Sequence, residues 1–359
     1  DICHEERDLS ELTYFDESYL CEDCLRRETF ICRDCGDRHW NDDSADGDLC
    51  QTCYDEDYVR CERCDAVIHY DDACYHEDEE YHDHPYCRDC FDMDEIIHDY
   101  YYKPEPIFYG DGPRYLGVEL ELDDGGENEF CASKLLEIAN NGCERMYIKH
   151  DGSLDDGFEC VTHPMTLDYH INQMPWKAIL NKAVAKGYLS HQAGTCGLHV
   201  HISRNALGVN YEEQEATIAK ILYFYEKFWN EILTFSRRTE SQAEHWARRY
   251  GGGIINPKET LKHAKNSHMG RYAAVNLENE ATIEMRIFRG TLKYNTFIAT
   301  LQMVDEICKV AISLSDEFMQ GLTWLDFVKG IADGKQELIN YLKEKRLYVN
   351  EPIRNEVEI

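Results

Sequence analysis

Three short segments of the chain, residues 117–121, 197–201 and 282–286, each place two charged or imidazole side chains at alternate positions. The pairs are Glu119 with Glu121, His199 with His201, and Glu284 with Arg286. In a β-strand, residues i and i+2 lie on the same face, so each segment offers a polar pair on one face and apolar side chains on the other. Burying such polar pairs in a hydrophobic core is unfavourable. Three of them predict polar faces that converge on a charged ligand, most simply a metal-bound phosphate.

Other segments add residues of the same kinds. Asp151 stands in the turn-forming sequence Asp-Gly-Ser, Glu159 stands on a further strand-like segment, and Arg271 and Arg289 follow later in the chain. Carboxylate oxygens with few imidazoles suit Mg²⁺ or Mn²⁺ more than zinc. Arginines can bind phosphate oxygens bidentately, so the set describes a nucleotide-phosphate site. Each residue taken alone fits a solvated strand or a surface ion pair, and it is their joint occurrence that favours a site.

The hydrophobic periodicity from residue 115 onward predicts an α+β domain, with a largely antiparallel sheet and helices packed on one side. The predicted strands are residues 115–122, 146–150, 157–162, 197–203, 271–277 and 282–288. The predicted helices are residues 127–140, 176–186, 211–235, 242–249, 294–314, 322–332 and 335–345.

Charge divides the chain unevenly. The formal net charge is −33 over 359 residues, and residues 1–109 carry 34 acidic against 9 basic side chains. A region this acidic repels phosphate backbones, so nucleic acid is not an expected partner. No apolar run approaches the ~20 residues that span a bilayer, and the first residues do not resemble a signal peptide. We therefore expect an intracellular, cytoplasmic protein without a membrane partner.

Twelve of the seventeen cysteines lie before residue 91, and ten of these form five Cys-x-x-Cys pairs. This spacing is what tetrahedral zinc requires of a tight knuckle, and two knuckles make a closed structural site. A disulfide framework would need a secretory route. The predicted zinc ligands are Cys3, Cys21, Cys24, Cys32, Cys35, Cys50, Cys53, Cys61, Cys64, Cys87 and Cys90.

The knuckles repeat as units of one knuckle, a spacer and a second knuckle. Cys32, Cys35, Cys50 and Cys53 form one such unit, and Cys61, Cys64, Cys87 and Cys90 form the next, although cross-braced pairing of alternate knuckles fits the spacing as well. The first of these repeats has only Cys3 beside Cys21 and Cys24. We therefore expect a further cysteine upstream, with His4 as the substitute ligand. Additional candidate zinc ligands in the third repeat are Cys74, His76, His82 and His84.

These boundaries predict zinc modules over residues 1–99, a linker over 100–114 rich in tyrosine and proline, and a catalytic domain over 115–359 with helices at its C-terminal end. The modules are too short and polar to hold a core without metal, so chelation should unfold them. Their expected role is to recruit a partner or substrate.

Six motifs in order resemble the amidoligase family, the carboxylate-amine ligases related to glutamine synthetase and glutamate-cysteine ligase. They are Gly-Val-Glu-Leu-Glu, Asp-Gly-Ser, Glu-x-Val-Thr-x-Pro, Gly-Leu-His-Val-His, Arg-Tyr-x-x-x-Asn and Thr-Ile-Glu-x-Arg-x-Phe-x-Gly-Thr-Leu, between residues 114 and 292. Many family members are similar to this chain in carrying Cys-x-x-Cys beads before the ligase domain, and many are encoded by phages. The resemblance implies a glutamine-synthetase-like fold and an ATP-dependent ligase that uses Mg²⁺ or Mn²⁺. It also implies that the ligase joins a carboxylate substrate to an amine donor, either of which could be a peptide or protein.

The resemblance also implies roles for single residues. Glu119, His199 and Glu284 would hold the metal nearer the nucleotide phosphates, and Glu121 and Glu159 the metal nearer the acceptor carboxylate.

Arg286 matches the arginine that meets the transferring phosphoryl group, with Arg271 as a second candidate and Arg289 as a further cofactor-binding arginine. Asp151 is the candidate base that deprotonates the amine, although a turn-forming role fits it equally. A phosphotransferase on the same fold and a catalytically silent binding protein are the alternative functions.

Overall fold

The computed structural model of the protein describes residues 3, 8–75, 84–91, 96–251 and 256–349. The chain divides into two units, residues 1–94 and 95–359. His4, His76 and His82, which the cysteine spacing put forward as ligand candidates, lie outside the described residues.

The first unit repeats a small pattern of strand pairs and a short helix. Its strands pair antiparallel, β1 with β2, β3 with β4, β5 with β6 and β7 with β8. The strands are β1 Leu12–Phe15, β2 Ser18–Cys21, β3 Thr29–Ile31, β4 Arg38–Trp40, β5 Ser44–Asp46, β6 Leu49–Cys50, β7 Tyr58–Arg60 and β8 Val67–His69. The helices are α1 Glu22–Glu28, α2 Gln51–Asp57 and α3 Arg88–Phe91. The buried apolar clusters of this unit consist of cysteines and single leucines, which are too small to stabilise it alone.

The second unit is built on a seven-stranded sheet of order β14-β15-β13-β10-β12-β11-β9. All neighbouring strands are antiparallel except β9 and β11, which are parallel. The strands are β9 Ile97–His98, β10 Leu116–Leu122, β11 Met146–Lys149, β12 Phe158–Thr162, β13 Leu198–Ser203, β14 Val275–Asn276 and β15 Thr282–Met285. The α+β fold class with a largely antiparallel sheet is thereby confirmed.

Eleven helices accompany the sheet within the described part of this unit. They are α4 Glu129–Asn140, α5 Leu167–Asn172, α6 Trp176–Ala185, α7 Tyr211–Lys227, α8 Trp229–Ser236, α9 Glu240–Trp246, α10 Pro257–Asn266, α11 Tyr294–Ser313, α12 Asp316–Gly321, α13 Trp324–Lys329 and α14 Gln336–Glu344. Their apolar side chains and those of one sheet face form a single core, in which the Trp176 and Phe297 rings lie 4.3 Å apart.

Helices α5, α10 and α12 lie outside the predicted ranges, and two predicted elements differ markedly from the observed ones. The helix expected over residues 211–235 is interrupted at Phe228, whose backbone leaves the helical region while its ring packs on Phe224 and Trp324. The strand expected over 271–277 is reduced to β14, because Gly270 adopts a left-handed conformation and begins a 3-10 turn.

Strand β9 precedes residue 99, where we expected the modules to end, and it belongs to the sheet of the second unit. Within the described residues, none of the helices combines the length and apolar character needed to cross a bilayer.

Candidate active site

Charged residues meet across four neighbouring strands of the sheet because antiparallel pairing brings them opposite one another. The paired residues are Glu121 with Glu159, Glu119 with His199, and His201 with Glu284. The apolar residues that alternate with them are buried in the core on the opposite face. The three polar pairs predicted from sequence therefore lie on one face of one sheet.

Two sets of donor atoms on this face are close enough to share a cation. One set comprises Glu119, His201 and Glu284, and the other comprises Glu119, Glu159 and His199, with the donor atoms of each set within 4.8 Å of one another. Glu119 is common to both sets. His201 joins Glu119 and Glu284 in the first set, and His199, which the family resemblance groups with the same two glutamates, also lies near both.

His199 lies at the centre of the carboxylates. Its Nδ1 is 3.5 Å from Glu119 and 3.6 Å from Glu284, and its Nε2 is 3.6 Å from Glu121. A side chain at Gly197 would collide with the His199 ring, which accounts for the glycine that opens the Gly-Leu-His-Val-His motif. Nδ1 of His199 and Nε2 of His201 are buried without a hydrogen-bond partner, as expected for nitrogens that coordinate a metal.

The ionisation of the carboxylates reflects their crowding. Burial alone would raise the pKa of Glu119, but His201 and His199 outweigh it and lower that pKa well below its ordinary value. Burial and then the negative charge of Glu119 raise the pKa of Glu159 well above its ordinary value, and burial raises that of Glu121. Neighbouring buried carboxylates cannot all ionise without added positive charge, which a divalent cation supplies.

Basic and amide groups surround the carboxylates. Arg286 Nη1 donates to Glu284 Oε1 at 2.5 Å, and Asn276 Nδ2 donates to Glu284 Oε2 at 2.8 Å. Lys149 Nζ lies 3.3 Å from Glu159. These contacts fix the Glu284 carboxylate and leave the Arg286 Nε atom buried and unpartnered.

All of these groups line one cavity of about 780 Å³. Asp151 and Arg271, which the sequence put forward as site residues, also line it. Asp151 Oδ1 accepts hydrogen bonds from the backbone and hydroxyl of Ser153 at 2.7 and 2.5 Å, and Arg271 donates to the Tyr100 hydroxyl at 2.6 Å. Arg289 is not among the lining residues.

The lining residues absent from the predicted set include Tyr100, Lys149, Arg238 and Asn276. Arg238 stands in a basic segment within an acidic chain, which was a usable signal. Asn276 ends the Arg-Tyr-x-x-x-Asn motif, so the motif itself pointed to it. Tyr100 comes from the segment expected to be a linker, and nothing in that segment distinguishes it from Tyr101 and Tyr102.

A buried carboxylate beneath the cavity joins two of its loops. Asp123 is 1% exposed and accepts from the backbone of Asp155 and Asp156 at 3.2 and 2.7 Å and from the Thr195 hydroxyl at 2.6 Å. Burial alone would raise its pKa, but these donors, led by Thr195, lower it below the ordinary value. Asp123 thus connects the end of β10 to the loops that carry Asp151 and Thr195.

The first unit brings its cysteines together in the sequential order. The clusters are Cys32, Cys35, Cys50 and Cys53; Cys61, Cys64, Cys87 and Cys90; and Cys3, Cys21 and Cys24. In the two complete clusters, the first knuckle is a tight turn closed by a backbone hydrogen bond, and the second knuckle lies at the start of a helix. Among the additional candidates, Cys74 pairs through its backbone with Tyr86, and His84 lies 3.5 Å from Glu62.

Backbone donors around two cysteines favour the thiolates that a metal requires. Burial alone would raise the pKa of Cys32, but backbone N–H groups, that of Cys50 first, lower it to about 6. The same balance, with Cys87 as the first donor, lowers the pKa of Cys61 to about 7. Four sulfurs in this arrangement fit structural zinc.

Comparison with known proteins gives a family match and distant structural likenesses. The chain is similar in structure to a bifunctional glutathione synthetase from Pasteurella multocida, with a TM-score of 0.35 and 13% identity over 65% of this chain and 46% of that chain. No curated protein matches the chain. The family described as "Putative amidoligase enzyme" matches residues 137–308, a span that holds Glu159, His199, Glu284 and Arg286. That match supports a ligase in general, and it confirms the resemblance to the amidoligase family that the motifs indicated.

Proposed function

We propose that the cavity of the second unit catalyses ATP-dependent formation of an amide or isopeptide bond between a carboxylate and an amine. The observation that carries this proposal is the convergence of four glutamates and two histidines with arginines in one cavity. Carboxylates and imidazoles fit divalent cations, and guanidinium groups fit phosphate. The family match supports the ligase class, while the substrates are part of the proposal.

The donor set fits two divalent cations, for which Mg²⁺ or Mn²⁺ is the appropriate choice. Oxygen donors outnumber imidazoles, and two imidazole nitrogens that face the carboxylates have no hydrogen-bond partner. Glu119, His199, His201, Glu284, Glu121 and Glu159 would hold the ions. When bound, such ions would neutralise charge on the transferring phosphoryl group.

Arg286 is positioned to neutralise further phosphate charge. Burial alone would lower its pKa, but Glu284 outweighs burial and raises it, so the guanidinium is charged at every pH of interest. Its Nη1 is fixed by Glu284, which orients the rest of the guanidinium. Arg238 lines the same cavity, and its buried Nη1 has no partner. Preorganised donors of this kind stabilise a developing charge without reorganising during the reaction.

The proposed reaction has two steps. In the first, an oxygen of the substrate carboxylate attacks the γ-phosphorus of ATP, an acyl–oxygen–phosphorus link forms, and ADP leaves. In the second, the amine nitrogen attacks the acyl carbon, a carbon–nitrogen bond forms, and inorganic phosphate leaves. Asp151 would accept the proton that the amine loses, since its side chain lines the cavity and is oriented by Ser153.

The cysteine clusters complete the proposal. Zinc held by the clusters would fold the first unit, and that unit would recruit a partner or the substrate. The first unit is compact by itself and has an excess of acidic side chains, which supports a role separate from catalysis.

The test is an assay of zinc-loaded protein with Mg-ATP, hydroxylamine and fractionated small molecules and peptides, in which ADP, phosphate and hydroxamate are measured. Hydroxylamine intercepts acyl phosphates, so hydroxamate and phosphate should appear together with some fractions. Glu284→Gln should lower the rate at least about 10²-fold, because it removes a metal donor and the anchor of Arg286. Glu280→Gln makes the same chemical change at an exposed residue between β14 and β15 and should retain the activity.

The alternatives give different products. ADP with a stable phosphorylated product and no hydroxamate would replace the ligase with a phosphotransferase. Fractions that never yield ADP, even though ATP binds, would point to a binding protein.

A further inference from the structure

Buried polar atoms without a hydrogen-bond partner are concentrated in one part of the second unit. Nine such side-chain atoms occur among the described residues, and two of them are the imidazole nitrogens of the metal site. Five others belong to His191, Arg237, Arg238, Arg286 and Arg289. Buried polar atoms are satisfied in more than ~90% of cases, so a group of unsatisfied atoms, four of them guanidinium nitrogens, indicates a missing anionic partner.

These residues are held together by backbone contacts. Arg237 donates to the carbonyl of Gly290 at 3.0 Å and to that of Arg289, and Arg238 Nε donates to the carbonyl of Ile287 at 3.1 Å. The Arg289 backbone N–H donates to Ser236 at 3.1 Å. Segments 236–238 and 287–290 therefore form one rigid support.

His191 joins this support from a third segment. Its neighbour Ser190 is fully buried, packs against Gly290 and donates to the carbonyl of Glu121 at 2.9 Å. Burial lowers the pKa of His191, and the positive charges of Arg289, Arg237 and Lys345 lower it further. Lys345 directly follows α14.

The cluster lacks carboxylate partners, although the chain carries a net charge of −33. In the described part of the chain, no carboxylate oxygen lies within 4.0 Å of a side-chain nitrogen of His191, Arg237, Arg238 or Arg289. Glu344 influences Arg237 from a distance, but it forms an ion pair with Lys293 at 3.2 Å. Uncompensated buried cations are costly, so a structural role alone does not account for them.

Arginine 237 also has an unfavourable backbone. Its φ of 67° lies in the left-handed region, which non-glycine residues seldom adopt. Arg237 is the C-cap of α8, and helices commonly end in this conformation, although usually at a glycine. Here the two carbonyls that accept from its guanidinium hold the residue in place.

We propose that His191, Arg237 and Arg289 bind an oxyanion, a phosphate or carboxylate, of a substrate whose reacting group lies in the cavity, with Arg238 linking the two sites. Arg238 lines the cavity and follows Arg237 directly in the chain. The inference rests on the proposed function in taking the anion to belong to a substrate. The substrate would then carry an acidic group in addition to its reacting group. That acidic group belongs either to the nucleotide polyphosphate or to the carboxylate acceptor.

The test is calorimetric titration of zinc-loaded protein with inorganic pyrophosphate in buffer without Mg²⁺ or chelator. Arg289→Gln and His191→Gln should each weaken binding at least tenfold, while Arg248→Gln, at an exposed arginine outside the cavity and the cluster, should leave it unchanged. Using two variants guards against a loss that merely reflects misfolding, and unfolding midpoints of all variants would be measured alongside.

Glu284→Gln separates this inference from the proposed function. In that variant, whose ligase rate should fall at least about 10²-fold, adding Arg289→Gln should still weaken pyrophosphate binding at least tenfold, because the cluster does not depend on the metal site. Absence of pyrophosphate binding by the wild type, or equal affinity in the Arg289 and His191 variants, would overturn the inference even if ligase activity is found.

Titration with ADP then distinguishes the two sources of the anion. Weaker ADP binding by Arg289→Gln would assign the cluster to the nucleotide. Unchanged ADP binding together with weaker pyrophosphate binding would assign it to an acidic group of the acceptor.

Discussion

A buried histidine should make the second unit less stable below pH 6.5. His170, on α5, is fully buried, its Nε2 lies 3.0 Å from the Leu116 carbonyl, and its Nδ1 accepts from the Trp176 indole N–H at 3.3 Å. These partners fit a neutral imidazole with its proton on Nε2. A second proton on Nδ1 would face the indole N–H, so protonation breaks this contact as well as placing a charge in the core.

The magnitude follows from the pKa. Burial lowers the pKa of His170 from its ordinary 6.5 to about 4, despite the favourable contact with Leu116. Between these two values the unfolded chain binds a proton that the folded chain does not, so stability is fully present above pH 6.5 and is lost as pH falls. At 1.36 kcal/mol per pKa unit, the loss from pH 7 to pH 4 is about 3 kcal/mol.

Hydrogen–deuterium exchange of peptides from β10 and β13 can measure this loss in the second unit alone. The first unit would contribute its own acid unfolding to any whole-protein signal, because protons displace zinc from thiolates. His170→Gln keeps a hydrogen-bonding side chain that does not titrate. Its free energy of opening should be lower than that of the wild type at pH 7 but should fall about 3 kcal/mol less between pH 7 and pH 4. Parallel profiles for the two proteins would refute the buried-imidazole explanation.

Two further predictions concern the supports of each unit. Cys53→Ser should remove one equivalent of zinc and unfold only the module of its cluster. Cys143→Ser, at an exposed cysteine of the second unit, should keep the full metal content. Elemental analysis would measure the zinc content, and limited proteolysis would locate the unfolded module. Asp123→Asn should cost about 1.5–3 kcal/mol of unfolding free energy, because a charged acceptor of several buried donors is lost. Asp124→Asn, at the exposed neighbour, should change that free energy by less than about 0.5 kcal/mol, and equal effects of the two substitutions in urea unfolding would contradict the role given to Asp123.

The sequence predicted the polar face of the sheet well because alternation in a strand has a fixed period. Glu119, His199 and Glu284 lie where that alternation put them, and the zinc clusters follow the local Cys-x-x-Cys spacing. Both signals depend only on residues close together in the chain.

What the sequence did not reveal depends on contacts between distant segments. The placement of Arg238 in the cavity and Arg289 outside it is decided by backbone pairing of segments 236–238 and 287–290, which no local pattern encodes. Likewise, the break at Phe228 follows from packing on Trp324, almost a hundred residues later in the chain. Tertiary contacts override helical periodicity at such positions.

The register of the sheet is itself bound to the chemistry of the site. A slip of one residue in β10 would turn Glu119 and Glu121 into the core and expose the apolar residues between them. The cost of burying two carboxylates and exposing the partner face exceeds the few kcal/mol by which domains are stable, so one register is enforced. Each strand of the site carries the same alternation, and the three pairings among these four strands therefore fix one another's registers. The polar residues that weaken the sheet as a folding element are also those that make its alignment unique. This explains how, in each donor set, atoms from three strands distant in the chain can meet within 4.8 Å.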